Sequence, residues 1–261
     1  MSLPPIFYHF FRKPLPYAQT LALQERLHTI QLRNRKNSPP SHKDILLLLE
    51  HRPVYTGGRR QTSEQTAADR ARLTQLGADF QLIQRGGETT YHGPGQIVGY
   101  PLLDLSRYSP AMGIRDYICR MQKTMERHFL ESHGVRHVPS DHTGVFLDAH
   151  TKIASIGVQV RHRLTNHGFA FNVTNEPLAW FNQVVACGLT DVKAGSIESA
   201  KGKEVTVEGE IPALVKMFGT VYQRDMLPLD VSQDEEIIRE IANLEAEANV
   251  AGPWHRAPRN V

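Results

Sequence analysis

Apolar residues recur along this chain at two spacings. Ile6-Phe7-Tyr8-His9-Phe10-Phe11 reads as a first strand, and Leu23, Leu27 and Ile30 then repeat at helical spacing between about Tyr17 and Leu32. Asn37-Ser38-Pro39-Pro40-Ser41 is a polar break. Asp44 and Glu50 bracket the unbroken apolar run Ile45 to Leu49, which is short enough to predict a strand covered on both faces. His51 to Gly58 leads that strand into a loop. A short helix is predicted over Ser63–Leu76 with Gly77 as its C-cap, followed by a strand around Phe80 and Leu82. Residues 96–105 make another strand, in which Pro101 marks a bulge or an edge.

The clearest helix carries Ile114, Ile118, Met121, Met125 and Phe129 on one face, with Gly134 past its end. Three strands follow, over Thr143–Leu147, Ile153–Val160 and His167–Val173. Pro177 opens a short helix that runs to Val184, and Pro212 sits in the first turn of another. An acidic helix spans Asp234 to Asn249, and residues 251–261 form a loose tail. Strands outnumber helices and are interspersed with them without strict βαβ alternation. The class is therefore α/β (α+β), a mixed β-sheet flanked by helices. Residues 1–230 make the main domain and 231–261 a C-terminal acidic helix and tail.

Composition adds limits. The chain has 261 residues, enough to bury a proper core; 40% apolar and 22% charged residues indicate a globular protein rather than a disordered one. A net charge of +3 without a basic block argues against a nucleic-acid partner. Cys119 and Cys187 are too few for a disulfide framework. No apolar run is long enough for a membrane span. Residues 1–24 contain Arg12 and Lys13 but no acid, which resembles an organelle transit segment overlapping the first strand.

Chemistry concentrates in Arg85–Tyr100, where five glycines and a proline share sixteen residues with Arg85, Glu88 and His92. Glycine is unfavourable in regular elements, so such a stretch serves either turns or a close approach of backbone to another molecule. The chain has no P-loop, no G-x-G-x-x-G, no nucleophile elbow and no H-E-x-x-H. The thirteen histidines are scattered; His133 and His137 straddle Gly134 and read as loop histidines, so no metal site is assigned. Cys119, between Ile118 and Arg120, reads as a bystander thiol. Cys187 lies between Ala186 and Gly188 and needs a positive or proton-accepting neighbour to become a thiolate. Lys152 heads a small apolar strand, and it either snorkels to water or is held beside a thiol. Spacing does not choose between these.

Arg-Gly-Gly-x-x-Thr-Tyr-His-x-x-Gly-Gln-x-x-x-Tyr, here Arg85 to Tyr100, resembles the signature of the octanoyl-[acyl carrier protein]:protein octanoyltransferases, also called lipoyl(octanoyl) transferases. Blocks His51–Thr56, Lys152–Gly157, His167–Asn172 and Ala186–Gly188 are similar to others of that family, and the likeness spans roughly residues 5–228. The resemblance implies a fold like the biotin and lipoate protein ligase catalytic domain, so residues 1–230 become the catalytic domain. It also implies a dyad of Cys187 and Lys152 that passes octanoyl (or lipoyl) through a Cys thioester to a lysine amine. The implied substrate-binding residues are Arg85, Gly86, Gly87, Glu88, Thr89, Thr90, Tyr91 and His92, with Ser155, Ile156, Gly157, Gly168, Phe169 and Ala170. Backbone N–H groups near Gly188 or Gly157 are candidate oxyanion donors. The implied partners are octanoyl-acyl carrier protein as donor and a lipoyl-accepting domain, such as the glycine cleavage H protein or a 2-oxoacid dehydrogenase E2 component, as acceptor. No cofactor is implied. The stretch Gly195–Val207, with Lys201 and Lys203, departs from the bacterial pattern. The family serves bacteria and mitochondria, and the acid-free start points to mitochondria, with cytoplasm as the alternative. Competing readings are an ATP-dependent lipoate or biotin ligase and a non-catalytic paralogue that binds acyl carrier protein or lipoyl domains.

Overall fold

The computed structural model describes residues 3–58, 63–85, 89–184, 191–230, 232 and 234–259. Eight of the described strands form one mixed sheet. Its order is β10 (Lys193–Ala194), β8 (Thr151–Arg161), β9 (Leu164–Asn172), β6 (Gln96–Leu102), β2 (Asp44–Leu49), β1 (Ile6–Phe10) and β11 (Met226–Pro228), with β7 (Val145–Asp148) also on β8. The strands β8, β9, β6 and β2 run antiparallel to one another, whereas β1 is parallel to both β2 and β11. A smaller sheet pairs β3 (Val54–Gly57) with β4 (Asp79–Leu82) and β5 (Thr90–His92).

The apolar run in β2 is buried throughout because alternate residues serve opposite faces. Leu46 and Leu48 join Ile97 and Phe171 beneath α3 (Ile114–His133) and α6 (Val207–Tyr222). Ile45, Leu47 and Leu49 join Val98, Tyr100 and Ala170 beneath α1 (Tyr17–Arg35) and α7 (Glu235–Val250), which contributes Ile237, Ile241 and Leu244. A third cluster ties the small sheet to α2 (Ser63–Gln75) and α4 (Glu176–Phe181): Tyr91 stacks on Trp180 at 5.4 Å, and Tyr55 Oη donates to Trp180 O at 2.7 Å.

Several local expectations are corrected. The segment after His51 is not all loop, because residues 54–57 form β3, the middle strand of the small sheet. Pro101 lies in an inner strand. Its missing amide would face β9, but the β6–β9 ladder ends at Gly99, and Gly168 leaves room for the ring: a Cβ there would fall 2.5 Å from Pro101 Cδ. Ile114 is exposed, and α3 buries Tyr117, Thr124 and His128 with Met121, Met125 and Phe129. Pro212 is not in a first turn. Thr206 caps α6 by accepting from Gly209 N, and proline at the sixth helical position removes one ladder bond. The tail is not loose: Trp180 Nε1 donates to Arg256 O, and Arg259 N donates to Leu76 O at 2.9 Å.

Candidate active site

The small sheet lies over the Val98–Ala170 face of the large one, and the two flank a partly open cavity of about 70 Å³. Thr90 and His92 come from β5, Val98 and Tyr100 from β6, Lys152, Ser155, Ile156 and Gly157 from β8, and His167 to Ala170 from β9; Tyr17 and Arg85 complete it. A second, smaller cavity of about 20 Å³ is lined by Gln96, Ile153, Asn172, Phe181, Val192, Lys193 and Ala194. Thr90, Lys152, Ser155 and Ala170 line both, so Lys152 stands where the two meet.

Local structure explains these positions. In β5 the side chains alternate, so Thr90 and His92 face the cavity while Tyr91 turns to Trp180 and lines neither space. Thr89 is buried outside both linings. Gly86, Gly87, Glu88, Cys187 and Gly188 lie outside the described residues. Arg85 is anchored by donating to Thr56 O at 2.7 Å and Thr56 Oγ1 at 2.8 Å. The Lys152 ammonium lies 5.4 Å from the centre of the Phe146 ring, an attractive cation–π placement. Gly144, at φ +131°, makes room for it, because a Cβ there would fall 2.6 Å from Lys152 Cε.

The inner part of the cavity is polar yet uncharged at its histidines. Burial lowers His51 to about 4, His92 to about 3 and His167 to about 4, with nearby positive charge from Arg85 adding to the effect on the last two. Burial raises Tyr17 and Tyr100. His51 Nδ1 donates to Leu15 O at 3.1 Å, which leaves its Nε2 to accept from Tyr100 Oη at 2.7 Å. Tyr17, Tyr100 and His167 were absent from the expected binding set. Tyr100 and His167 lie inside the matched blocks, but Tyr17 carried no sequence signal beyond opening a helix.

A separate group stands across the large sheet. His128 Nε2 and His133 Nε2 donate to Glu210 Oε2 at 2.8 and 2.7 Å, and the three possible ligand atoms lie within 4.8 Å of one another. A metal-bound imidazole normally donates its other N–H to an acceptor. His133 Nδ1 instead meets the Lys201 ammonium at 3.3 Å, a donor, so the group reads as a hydrogen-bonded clasp between α3 and α6. His137 approaches Glu126 at 3.8 Å, and Cys119 is an exposed free thiol.

The fold is similar to that of lipoate-protein ligases. A lipoate-protein ligase A solved with ATP aligns with a TM-score of 0.65 at 16% identity, over 93% of this chain and 95% of that one. The model of the lipoyl protein ligase A/B catalytic domain matches residues 16–219. An octanoyltransferase of Koribacter versatilis is 37% identical over 198 residues, 74% of this chain and 77% of the relative. The octanoyl-[acyl-carrier-protein]:protein N-octanoyltransferase of Danio rerio, named mitochondrial, is 34% identical over 78% of this chain and 87% of its own. The chain belongs to the octanoyltransferase family within the lipoyl protein ligase A/B catalytic domain group. It is an acyltransferase that acts in protein lipoylation.

Proposed function

We propose that the protein takes octanoyl from acyl carrier protein onto Cys187 and delivers it to the ε-amine of a lysine on a lipoyl-accepting domain. The observation that carries this reading is the position of Lys152 where two cavities meet. One cavity offers a trough for an acyl chain along β8 and β9, and the other gives a separate approach to the same ammonium. Phe181 and Val192, which flank in sequence the segment that bears Cys187, both line the second cavity beside Lys152.

In the first half-reaction the Cys187 thiolate attacks the thioester carbonyl, a new C–S bond forms, and the carrier's C–S bond breaks. Lys152 first takes the Cys187 proton and then returns one to the departing carrier thiol. In the second, the lysine amine attacks the acyl-enzyme and the C–S bond to Cys187 breaks. Lys152 takes the one proton that the attacking neutral amine loses and returns it to the Cys187 sulfur, leaving an amide and the free thiol. The assigned substrate-binding residues are those expected from the sequence, with Tyr17, Tyr100 and His167 added from the lining of the acyl cavity. A mitochondrial location, with cytoplasm as the alternative, is supported by the names of the zebrafish and Drosophila relatives.

Intact-mass measurement after mixing with octanoyl-acyl carrier protein tests the reading. One hydroxylamine-labile octanoyl group is expected on wild type and none on Cys187→Ser. Equal labelling of the two proteins would reject the dyad, and transfer that requires ATP would favour a ligase.

A further inference from the structure

Lys152 owes its place to an irregular strand pair. In β8, alternation sends Ala154 and Val158 to one face of the sheet and Ser155 and Gly157 to the other. Ile153 breaks the pattern, because it joins Ala154 in the core beneath α3. The β7–β8 register shows the cause. Val145 pairs with Ala154 and Phe146 with Lys152, so β8 carries one extra residue between the two pairs. Bulges of this kind re-aim a side chain. Lys152 is thereby returned to the Ser155 side, where it lines both cavities.

The same register sets Phe146 directly opposite Lys152, and residues so opposed share a face. The ammonium lies over the Phe146 ring, 5.4 Å from its centre, within reach of the attraction between a cation and an aromatic face. Gly144 leaves space for the stem, since a Cβ there would fall 2.6 Å from Lys152 Cε and 3.3 Å from Nζ. Among the described residues no hydrogen bond or ion pair holds this ammonium, so the ring is what orders it. Phe146 is firmly seated. It is 2% exposed, β8 runs along one edge of its strand, and Val138 N donates to its carbonyl O at 2.9 Å. Yet its ring belongs to no apolar cluster of the described residues, and it lines neither cavity. Neither core packing nor substrate contact accounts for a buried ring here; the lysine over it does.

We propose that Phe146 is a positioning residue for acyl transfer, its ring holding the Lys152 ammonium where the two cavities meet while Gly144 keeps room for the stem. Lysine carries its charge on a flexible four-carbon stem, and ordering that stem before reaction spares the transition state the cost. The inference rests on the acyl-transfer reading above.

A double-mutant cycle on the full chain tests it, with single-turnover acylation by octanoyl-acyl carrier protein as the readout. Phe146→Leu keeps an apolar side chain but removes the aromatic face. The saturating rate per folded molecule is expected to fall about tenfold, with the carrier concentration at half-saturation unchanged, and Phe146→Tyr is expected to restore most of it. In the Lys152→Ala background Phe146→Leu is expected to add no further loss. An equal loss in both backgrounds, or none in either, overturns the inference. Lysine labelled with carbon-13 adds a readout that does not depend on turnover. The ε-methylene signal that disappears in Lys152→Ala is expected upfield of the other lysines in wild type, shifted by the ring current of Phe146. A Lys152 signal among the others overturns the inference. Wild type that gains no octanoyl group would instead overturn the functional reading, with the lysine spectrum unaffected.

Discussion

His51, His92 and His167 lie on the face of the large sheet that carries Val98 and Ala170, whereas His128 and His133 belong to α3 across it, where His128 packs against Phe171. All five are at least mostly buried, so burial alone does not distinguish them. Their partners do. Across the sheet, two imidazoles converge on the one carboxylate of Glu210, and His133 uses its second nitrogen on Lys201. On the cavity side the rings of His51 and His92 bond to a carbonyl, a tyrosine and an amide, and among the described residues no carboxylate is engaged. Satisfied polar groups hold elements together, while open ones await a ligand. The contrast gives the clasp a structural role and leaves the cavity face as the proposed seat of the chemistry.

The sharpest way to break that assignment is Lys152→Ala. Lys152 projects toward Phe146 from the rim of both cavities, and its loss removes no hydrogen bond given for it among the described residues. The transfer rate is expected to fall about 10²–10⁴-fold, the usual worth of a positioned proton-transfer group, with the urea midpoint unchanged. A single-turnover rate matching wild type would remove Lys152 from the chemistry.

Much of this was legible in the residues. The run Ile45–Leu49 announced a strand buried on both faces, and the glycine-rich stretch Arg85–Tyr100 contains four lining residues of the acyl cavity besides Thr90 itself. What failed to show had physical reasons. Pro212 suggested a helix start because proline favours first turns, but Thr206 had the capping hydroxyl. Tyr17 reaches the cavity only because α1 crosses the sheet near Tyr100, a tertiary fact that no local spacing encodes. The Glu210 clasp joins residues 82 positions apart. Tyr91 lines neither cavity for a simpler reason, since strand alternation within a matched motif sends every second side chain to the other face.

Glu210→Ala sharpens the comparison from the other side. It deletes the acceptor shared by His128 and His133 and leaves two buried N–H groups without a partner. A loss of about 2–4 kcal/mol in unfolding free energy is expected, with the transfer rate per folded molecule unchanged. Denaturant titration alongside single-turnover kinetics reads both quantities. A rate loss at full folding would couple the clasp to the active site.

The two regions should also separate in pH. His51, His92 and His167 sit near 4, 3 and 4 in the folded protein against an ordinary 6.5, chiefly because burial disfavours their charged forms. Between those values the unfolded chain binds protons that the folded one refuses. Stability is therefore complete above about 6.5 and falls as pH drops toward 4, by about 1.4 kcal/mol per pH unit for each histidine. Glu210 behaves differently. Burial alone would raise its carboxyl, but the bonds from His128 and His133 outweigh that and hold it below its ordinary 4.5. Its contribution is present above 4.5 and fades only as pH falls through its depressed value. Urea midpoints measured from pH 7 to pH 3.5 should show Glu210→Gln sharing the wild-type slope above 4.5 and losing less stability below it. A flat wild-type profile between 6.5 and 4.5 would mean that water solvates the cavity histidines, and the contrast between the two faces would then fail.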